Sequence, residues 1–358
     1  MPFLFVTCQN GAETPLKAEL ARRHPAFRFA YSRPGFVTFK VPEDVRRERH
    51  FELRSVFARA WGMSLDKVSG NDGHQLAADF WTALTERFPP DDLAQFTHLH
   101  VWERDRQLPG DDGFEPGISP LADEIACLIE DACPLATTPA VNALAAADDR
   151  VLDCVIVEPG ELWIGTHRVQ SPASAWPGGV YEFDVPDNSI SRTWLKMEEA
   201  LRWSGLPVQS GDSCVEIGSA PGGASQALLK RGLRVTGIDP ADMDEALRNH
   251  PYFRHIRARA KDLKRGTFSG FKWLTVDASV APKYTLDTVE AIVRHENVRI
   301  EGMLLTLKLS DWKIADHIPD FHKRIRSWGY ANVRSRQLAF NRREICVAAT
   351  DLQQPPAD

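Results

Sequence analysis

The segment Val215-Glu-Ile-Gly-Ser-Ala-Pro-Gly-Gly223 has the residue types and spacing that most directly imply chemistry. A strand-like apolar run enters a Gly-rich turn, and a helical pattern follows. Gly218 permits a tight turn, Gly222 and Gly223 allow a ligand to approach the backbone, and Pro221 suits the first helical position. A helix starting here presents backbone N–H groups to a carboxylate or phosphate. The order is not G-x-G-x-x-G, because Ala220 stands at the second glycine, and no Lys-Ser/Thr pair completes a Walker loop. About 21 residues after Gly218 the run Val235-Thr-Gly-Ile ends in Asp239, an acceptor for the ribose hydroxyls of a nucleoside cofactor. Loop and acid together predict a nucleoside-binding α/β domain; a glycine turn needed only for packing is the competing explanation.

These residues need a framework. From residue 193 onward the pattern alternates between helix and strand periods: helix Thr193–Arg202, strand Ser213–Ile217, helix Gly222–Arg231 and strand Arg234–Ile238. Strand Trp273–Val276, a helix near Leu286–His295, strand Gly302–Leu307, helix Ile318–Trp328 and strand Glu344–Ala349 follow. Such alternation predicts an α/β domain with a largely parallel sheet. The first residues read as strand, helix, strand (Phe3–Thr7, Pro15–Arg23, Phe36–Val41), with Gly35 as a turn. From about 55 to 165 the pattern is helical, as in Leu76–Phe88 and Leu121–Ala132, and closes with a strand pair, Val151–Val157 and Glu161–Thr166, turned by Pro159-Gly160. Residues 170–192 are rich in Pro, Gly and Ser and read as the domain junction.

Composition narrows the class. The 358 residues are 43% hydrophobic and 26% charged, ordinary globular values, and no apolar run reaches the length of a membrane span. The N-terminus lacks the basic region of a signal peptide. Six scattered cysteines without C-x-x-C spacing point to reduced thiols in the cytoplasm and against structural zinc. No histidine cluster has metal-ligand spacing: His98 and His100 alternate on a strand, and His317 and His322 lie five residues apart, so no metal is expected. The net charge of −6 is unevenly spread. Residues 51–200 carry 10 Lys and Arg against 26 Asp and Glu, whereas residues 251–350 carry 19 against 10. A basic block in an acidic chain is either a polyanion footprint or a solvated face.

Gly218-Ser-Ala-Pro-Gly-Gly223 resembles the first motif of the FtsJ-type ribose 2′-O-methyltransferases, which use a Lys-Asp-Lys-Glu tetrad. Ser191-Arg-Thr-Trp-Leu-Lys196-Met-Glu-Glu resembles the segment carrying the first lysine, and Trp273-Leu-Thr-Val-Asp277 the strand-end aspartate. Leu305-Thr-Leu-Lys308-Leu resembles the second lysine, and Asn341-Arg-Arg-Glu344-Ile the glutamate. Ser171-Pro-Ala-Ser-Ala-Trp-Pro-Gly-Gly179, Ser55-Val-Phe-Ala-Arg-Ala-Trp61 and Arg336-Gln-Leu338 are similar to the RlmM-type branch. Its members place a ferredoxin-like segment and a THUMP domain before the methyltransferase and modify a cytidine ribose of 23S rRNA. The resemblance implies a Rossmann-like S-adenosylmethionine-dependent methyltransferase domain preceded by an α+β ferredoxin-like/THUMP region. The expected boundaries are 1–54, 55–169, a linker at 170–192, and 193–358. Glu216 stands where the family has Asp, and Ala224 where it has Trp. The acidic stretch from 100 to 165 is poorly matched to RNA.

The resemblance further implies Lys196, Asp277, Lys308 and Glu344 as catalytic residues. Cofactor contacts are expected from Glu216, Gly218, Ser219, Ala220, Pro221, Gly222, Gly223 and Asp277, with Asp239 at the ribose and Asp262 at the adenine amino group. Asp262 is equally readable as a plain surface acid, and with Arg257, Arg259, Lys261, Lys264 and Arg265 around it the alternative for this segment is a phosphate-contacting surface. A lysine acts as base only when its pKa falls well below about 10.4, and burial beside a second ammonium drives it down. Lys308 is therefore expected to face the 2′-hydroxyl as base or alkoxide stabiliser, supported by the other three. The expected partner is RNA, with no membrane and no DNA. Another RNA such as tRNA, a small-molecule substrate, or a non-catalytic RNA-binding or assembly role are the alternatives.

Overall fold

The computed structural model describes residues 1–48 and 51–353, which divide into two compact units, the first ending at Glu182 and the second beginning at Phe183. No helix among the described residues is long and apolar enough to cross a membrane.

The first unit runs β1 (Phe3–Thr7), α1 (Glu13–Arg23), β2 (Arg28–Arg33), β3 (Phe36–Lys40), α2 (Glu43–Arg47) and β4 (Ala60–Ser69). It continues through α3 (Gly73–Thr85), α4 (Pro90–Leu93), β5 (Phe96–Glu103), α5 (Pro120–Asp131), β6 (Ala140–Val141), β7 (Arg150–Glu158) and β8 (Glu161–Arg168). One eight-stranded sheet holds all of these strands, in the order β2-β3-β1-β4-β8-β7-β5-β6. The first six elements form the βαββαβ arrangement of a ferredoxin-like unit. Its fourth strand is β4, so this motif draws on residues beyond position 54. Ala60–Ser64 of β4 pair with β1, while Met63–Ser69 pair with β8. A single strand thus joins the two expected N-terminal segments into one sheet.

The segment from 55 to 165 is less helical than its sequence pattern implies, because β4 and β5 lie within it. A bulge between Ser64 and Asp66 shifts the β4 register and breaks the alternation that would have marked the strand. On β7 the pattern is clear for a different reason: both faces are covered. Leu152, Cys154 and Ile156 pack under α3 and α5 with Phe80, Leu84 and Ile129, whereas Val155 and Val157 pack with Phe5, Phe36 and Trp102 on the other side. Strands buried on both faces read as continuous apolar runs. Both helices are capped: the Asp72 side chain accepts from Gln75 N, and Ser119 from Ala122 N. Residues 170–182 of the expected linker fold with this unit. Gly178, at φ 60, lies against the Trp102 indole, and a side chain there would collide with it.

The second unit runs α6 (Thr193–Ser204), β9 (Ser213–Ile217), α7 (Gly223–Lys230), β10 (Arg234–Ile238), α8 (Glu245–Arg248) and β11 (Phe253–Ile256). It ends with β12 (Trp273–Val276), α9 (Pro282–Val293), β13 (Gly302–Lys308), α10 (Ile318–Arg326), β14 (Tyr330–Arg336) and β15 (Glu344–Leu352). The sheet order is β11-β10-β9-β12-β13-β15-β14, a Rossmann-like arrangement. The first five strands are parallel, and β15 enters antiparallel between β13 and β14. That reversal brings the start of β15 beside the end of β13. One core lies between α6, α7 and the sheet, built from Trp194, Met197, Leu201, Leu228 and Trp273. Gly205 ends α6 in the left-handed conformation, at φ 60 and ψ 27.

Candidate active site

Four elements converge at the carboxyl edge of the second sheet. Asp277 follows directly on β12, and its N–H donates to Ile217 O at the end of β9. Lys308 is the last residue of β13 and Glu344 the first of β15, and antiparallel pairing sets them opposite each other. Lys196 reaches in from α6. The four side chains close a ring in which each lysine bridges both carboxylates. Lys196 Nζ lies 2.7 Å from Asp277 Oδ2 and 2.6 Å from Glu344 Oε1. Lys308 Nζ lies 2.8 Å from Glu344 Oε2 and 3.3 Å from Asp277 Oδ1.

Two cations and two anions make this cluster neutral, so burial is tolerable. Burial alone would lower the Lys196 ammonium, but the carboxylates of Asp277 and Glu344 more than offset it and hold the group above its usual value. Burial would likewise raise Glu344, yet Lys196 and Lys308 bring it down to about 2. Two lysines in one pocket were expected to depress each other; the interleaved carboxylates reverse this for Lys196. The lysines are not equivalent. The Lys196 side chain is 12% exposed and Lys308 26%, so Lys308 is the one presented outward.

The glycine loop lies beside the ring. Gly218, at φ 83, sits so close to the Asp277 carbonyl that an added Cβ would lie 2.5 Å from its oxygen. Gly222 and Gly223 also have a packing reason to lack a side chain. A Cβ on Gly222 would meet Leu247 Cδ1 at 2.0 Å, and one on Gly223 would meet Ser191 Oγ at 2.3 Å and Thr193 Oγ1 at 2.5 Å. Gly223 therefore lets the start of α6, and with it Lys196, dock on α7. Pro221 stands before the N-cap residue Gly222, joined to Ala220 by a cis peptide bond, and not at the first helical position. Ser219 is buried, with its hydroxyl 3.5 Å from Met243 Sδ.

Asp239 is half-buried at the end of β10, where Oδ2 accepts from Ala220 N at 3.3 Å and Oδ1 from Ala241 N at 2.8 Å. Glu216 is fully buried on β9, and its carboxyl group is engaged by the Ser225 hydroxyl. Burial pushes Glu216 up to about 8, against the Ser225 bond and with help from Asp277 and Asp239. Asp262 is exposed on the 3-10 turn Ala260–Asp262. Of the basic residues around it, Arg265 is spent on the carbonyls of Ala260, Leu263 and Lys261, and Arg257 pairs with Asp242; Arg259, Lys261 and Lys264 are exposed. Ala224 is buried and lines a narrow cavity with Thr193, Lys196, Val276, Asp277 and Asn341.

The segment that carries Lys196 ends in Glu199, to which the sequence reading assigned no role. This buried carboxylate on α6 accepts from Ala339 N at 2.8 Å and Phe340 N at 3.0 Å, holding the turn that leads into Glu344. Only its place one helical turn after Lys196 hinted at it. Sequence reasoning also missed a trio in the first unit, His100, Asp153 and His167, whose donor atoms lie within 4.8 Å of one another.

Residues 189–311 match the FtsJ-like methyltransferase family. A Halorhodospira halophila protein named ribosomal RNA large subunit methyltransferase M is 31% identical over 182 residues, 50% of this chain and 52% of that one. A protein of the same name from Tolumonas auensis is 26% identical over 381 residues, covering 98% of this chain and 96% of the relative. Against the first of these the chain spans about half the relative's length. The crystal structure of TrmN from Thermus thermophilus aligns over 98% of this chain and 100% of that one, at 14% identity and a TM-score of 0.35. The match to the FtsJ-like methyltransferase family thus lies within the second unit, over residues 189–311.

Proposed function

We propose that this chain is a cytoplasmic S-adenosylmethionine-dependent RNA ribose 2′-O-methyltransferase acting on a cytidine of 23S ribosomal RNA. The observation that carries the reading is the closed Lys196–Asp277–Lys308–Glu344 ring at the strand edge, next to the glycine loop. A binding module has no need of four interleaved charges in one pocket. The relatives' name, ribosomal RNA large subunit methyltransferase M, supports the choice of RNA.

The residues at the loop fit the methyl donor by their chemistry. Asp239 is a half-buried carboxylate at a strand end, suited to a ribose diol, and the Asp277 backbone carbonyl lies beside Gly218. S-adenosylmethionine, when bound, supplies a methyl group already activated on a sulfonium. The chain's task is then to orient a ribose hydroxyl and manage one proton. Lys196 stays protonated between two carboxylates and cannot take that proton. Lys308, the more exposed lysine, faces the 2′-hydroxyl; as an ammonium it stabilises the developing alkoxide, and it serves as base only after releasing its own proton to solvent. Asp277 and Glu344 hold both ammonium groups in place, and Glu199 positions Glu344 through the 339–340 turn.

The Lys308→Ala variant tests this division of roles. It should bind the cofactor as the wild type does and lose methyl transfer; near-normal turnover would remove Lys308 from the mechanism.

A further inference from the structure

The first unit contains a cluster that the proposed methyl transfer does not use. His100 on β5 and Asp153 on β7 are register partners, and His167 enters from the end of β8. His100 and Asp153 are fully buried, and the His167 side chain is 8% exposed. The two imidazoles are held alike. His100 Nε2 lies 3.0 Å from Ala143 O, and His167 Nε2 lies 2.8 Å from Ser174 O. A carbonyl only accepts, so each Nε2 carries a proton and each ring turns its Nδ1 toward the cluster. His167 Nδ1 faces the Asp153 carboxylate at 2.9 Å from both oxygens. His100 Nδ1 is buried and has no hydrogen-bond partner.

A buried, unpartnered imidazole nitrogen is costly unless something uses its lone pair. Metal-ligating histidines typically donate their other N–H to a backbone carbonyl or carboxylate, which sets the tautomer and the ring orientation. Both rings here have that arrangement, and a carboxylate lies between them. Room for the carboxylate comes from Gly62, where an added Cβ would lie 2.7 Å from Asp153 Oδ2. Half-buried His98, its ring centre 6.3 Å from that of His100, leads outward from the cluster.

We propose that His100 Nδ1, His167 Nδ1 and the Asp153 carboxylate bind one divalent transition-metal ion of the zinc type. Two nitrogens and one carboxylate oxygen suit that class, with solvent completing the coordination. The ion would tie β5, β7 and β8 together and, through the Ala143 and Ser174 carbonyls, the two loops that follow β6 and β8. A trio scattered over 68 positions has no spacing signature, which is why the sequence pattern hides it.

The test uses the full chain, stripped with a chelator and titrated with Co2+. One equivalent should bind saturably, produce visible d–d absorption and be displaced by Zn2+. His98→Ala, altering a neighbour outside the trio, should leave this uptake intact, and His100→Ala should abolish it. In the unaltered protein, Co2+ should also shift two exchangeable imidazole N–H resonances paramagnetically, a readout that does not depend on a variant folding. Absence of one-to-one uptake by the wild type, uptake unchanged in His100→Ala, or no shifted imidazole N–H overturns the proposal. The trio would then be a His167–Asp153 ion pair alone.

Discussion

Lys308 Nζ and Glu344 Oε2 lie 2.8 Å apart across the antiparallel β13–β15 pair, where the two residues are direct register partners. Backbone pairing therefore fixes this side of the charged ring, whereas Lys196 must be delivered by a separate helix. The Glu344→Gln substitution keeps the shape but removes one negative charge, leaving two ammonium groups beside one carboxylate. We expect cofactor affinity within about threefold of wild type and a fall in methyl transfer of about 100-fold, the usual scale for a misplaced proton-transfer group. Single-turnover rates alongside cofactor titration check both halves.

The two lysines should separate in stability. Lys196 is the more buried, and both carboxylates rely on it. Removing one partner from a buried ion pair typically costs about 3–5 kcal/mol. The expected loss for Lys196→Met is toward the lower end, about 3 kcal/mol, because Lys308 still neutralises part of the charge. Lys308→Ala should cost about 1 kcal/mol or less, since that side chain is partly solvated. Denaturant midpoints at matched pH, read on the unfolding of the second unit, distinguish the two.

Gly223 tests how α6 is positioned. An added methyl would stand 2.3 Å from Ser191 Oγ and 2.8 Å from the Ser191 carbonyl, so α6 must shift. A displacement of about 1 Å at a catalytic group can cost about 100-fold in rate. Gly223→Ala should therefore fold, bind cofactor with modest loss and transfer methyl at least tenfold more slowly. A variant with unchanged rate would show that Lys196 is held in place by something other than this contact.

Glu216 sets a pH signature. Its carboxyl is raised from the usual 4.5 to about 8 by burial, so the folded state holds the proton more tightly than the unfolded chain. The stabilisation is full below 4.5 and is lost as pH rises through about 8. Glu216→Gln keeps the shape and cannot ionise. It should remove the fall in stability between the usual 4.5 and about 8, measured as Tm against pH.

Much of the second unit was legible in the sequence because its physics is local. Cys214, Val215 and Ile217 on β9 are buried, and α7 follows the loop directly, so a short apolar run before glycines marks both. Asp277, Lys308 and Glu344 sit at strand ends, where an apolar run stops at a charge. The role of Gly223 was not legible, because the atoms it accommodates belong to Ser191 and Thr193, about thirty residues upstream. The role of Glu199 was hidden for the same reason: its partners are the backbone N–H groups of Ala339 and Phe340, 140 and 141 positions away. In the first unit, β4 escaped notice because a bulge interrupts its alternation and two different neighbours share its length. Ala224 was recognisable as a departure from the family pattern, but only the fold puts it on the wall of the cavity behind the ring.

The central claim is that the charged ring directs a methyl group to an RNA sugar oxygen. Its most direct test is to incubate the full chain with methyl-labelled S-adenosylmethionine and, in parallel, unmodified 23S rRNA and tRNA, then digest the RNA to nucleosides. The account requires label on the 2′-oxygen of one cytidine in 23S rRNA, absent with Lys308→Ala. Label on a base, or on tRNA alone, would contradict it.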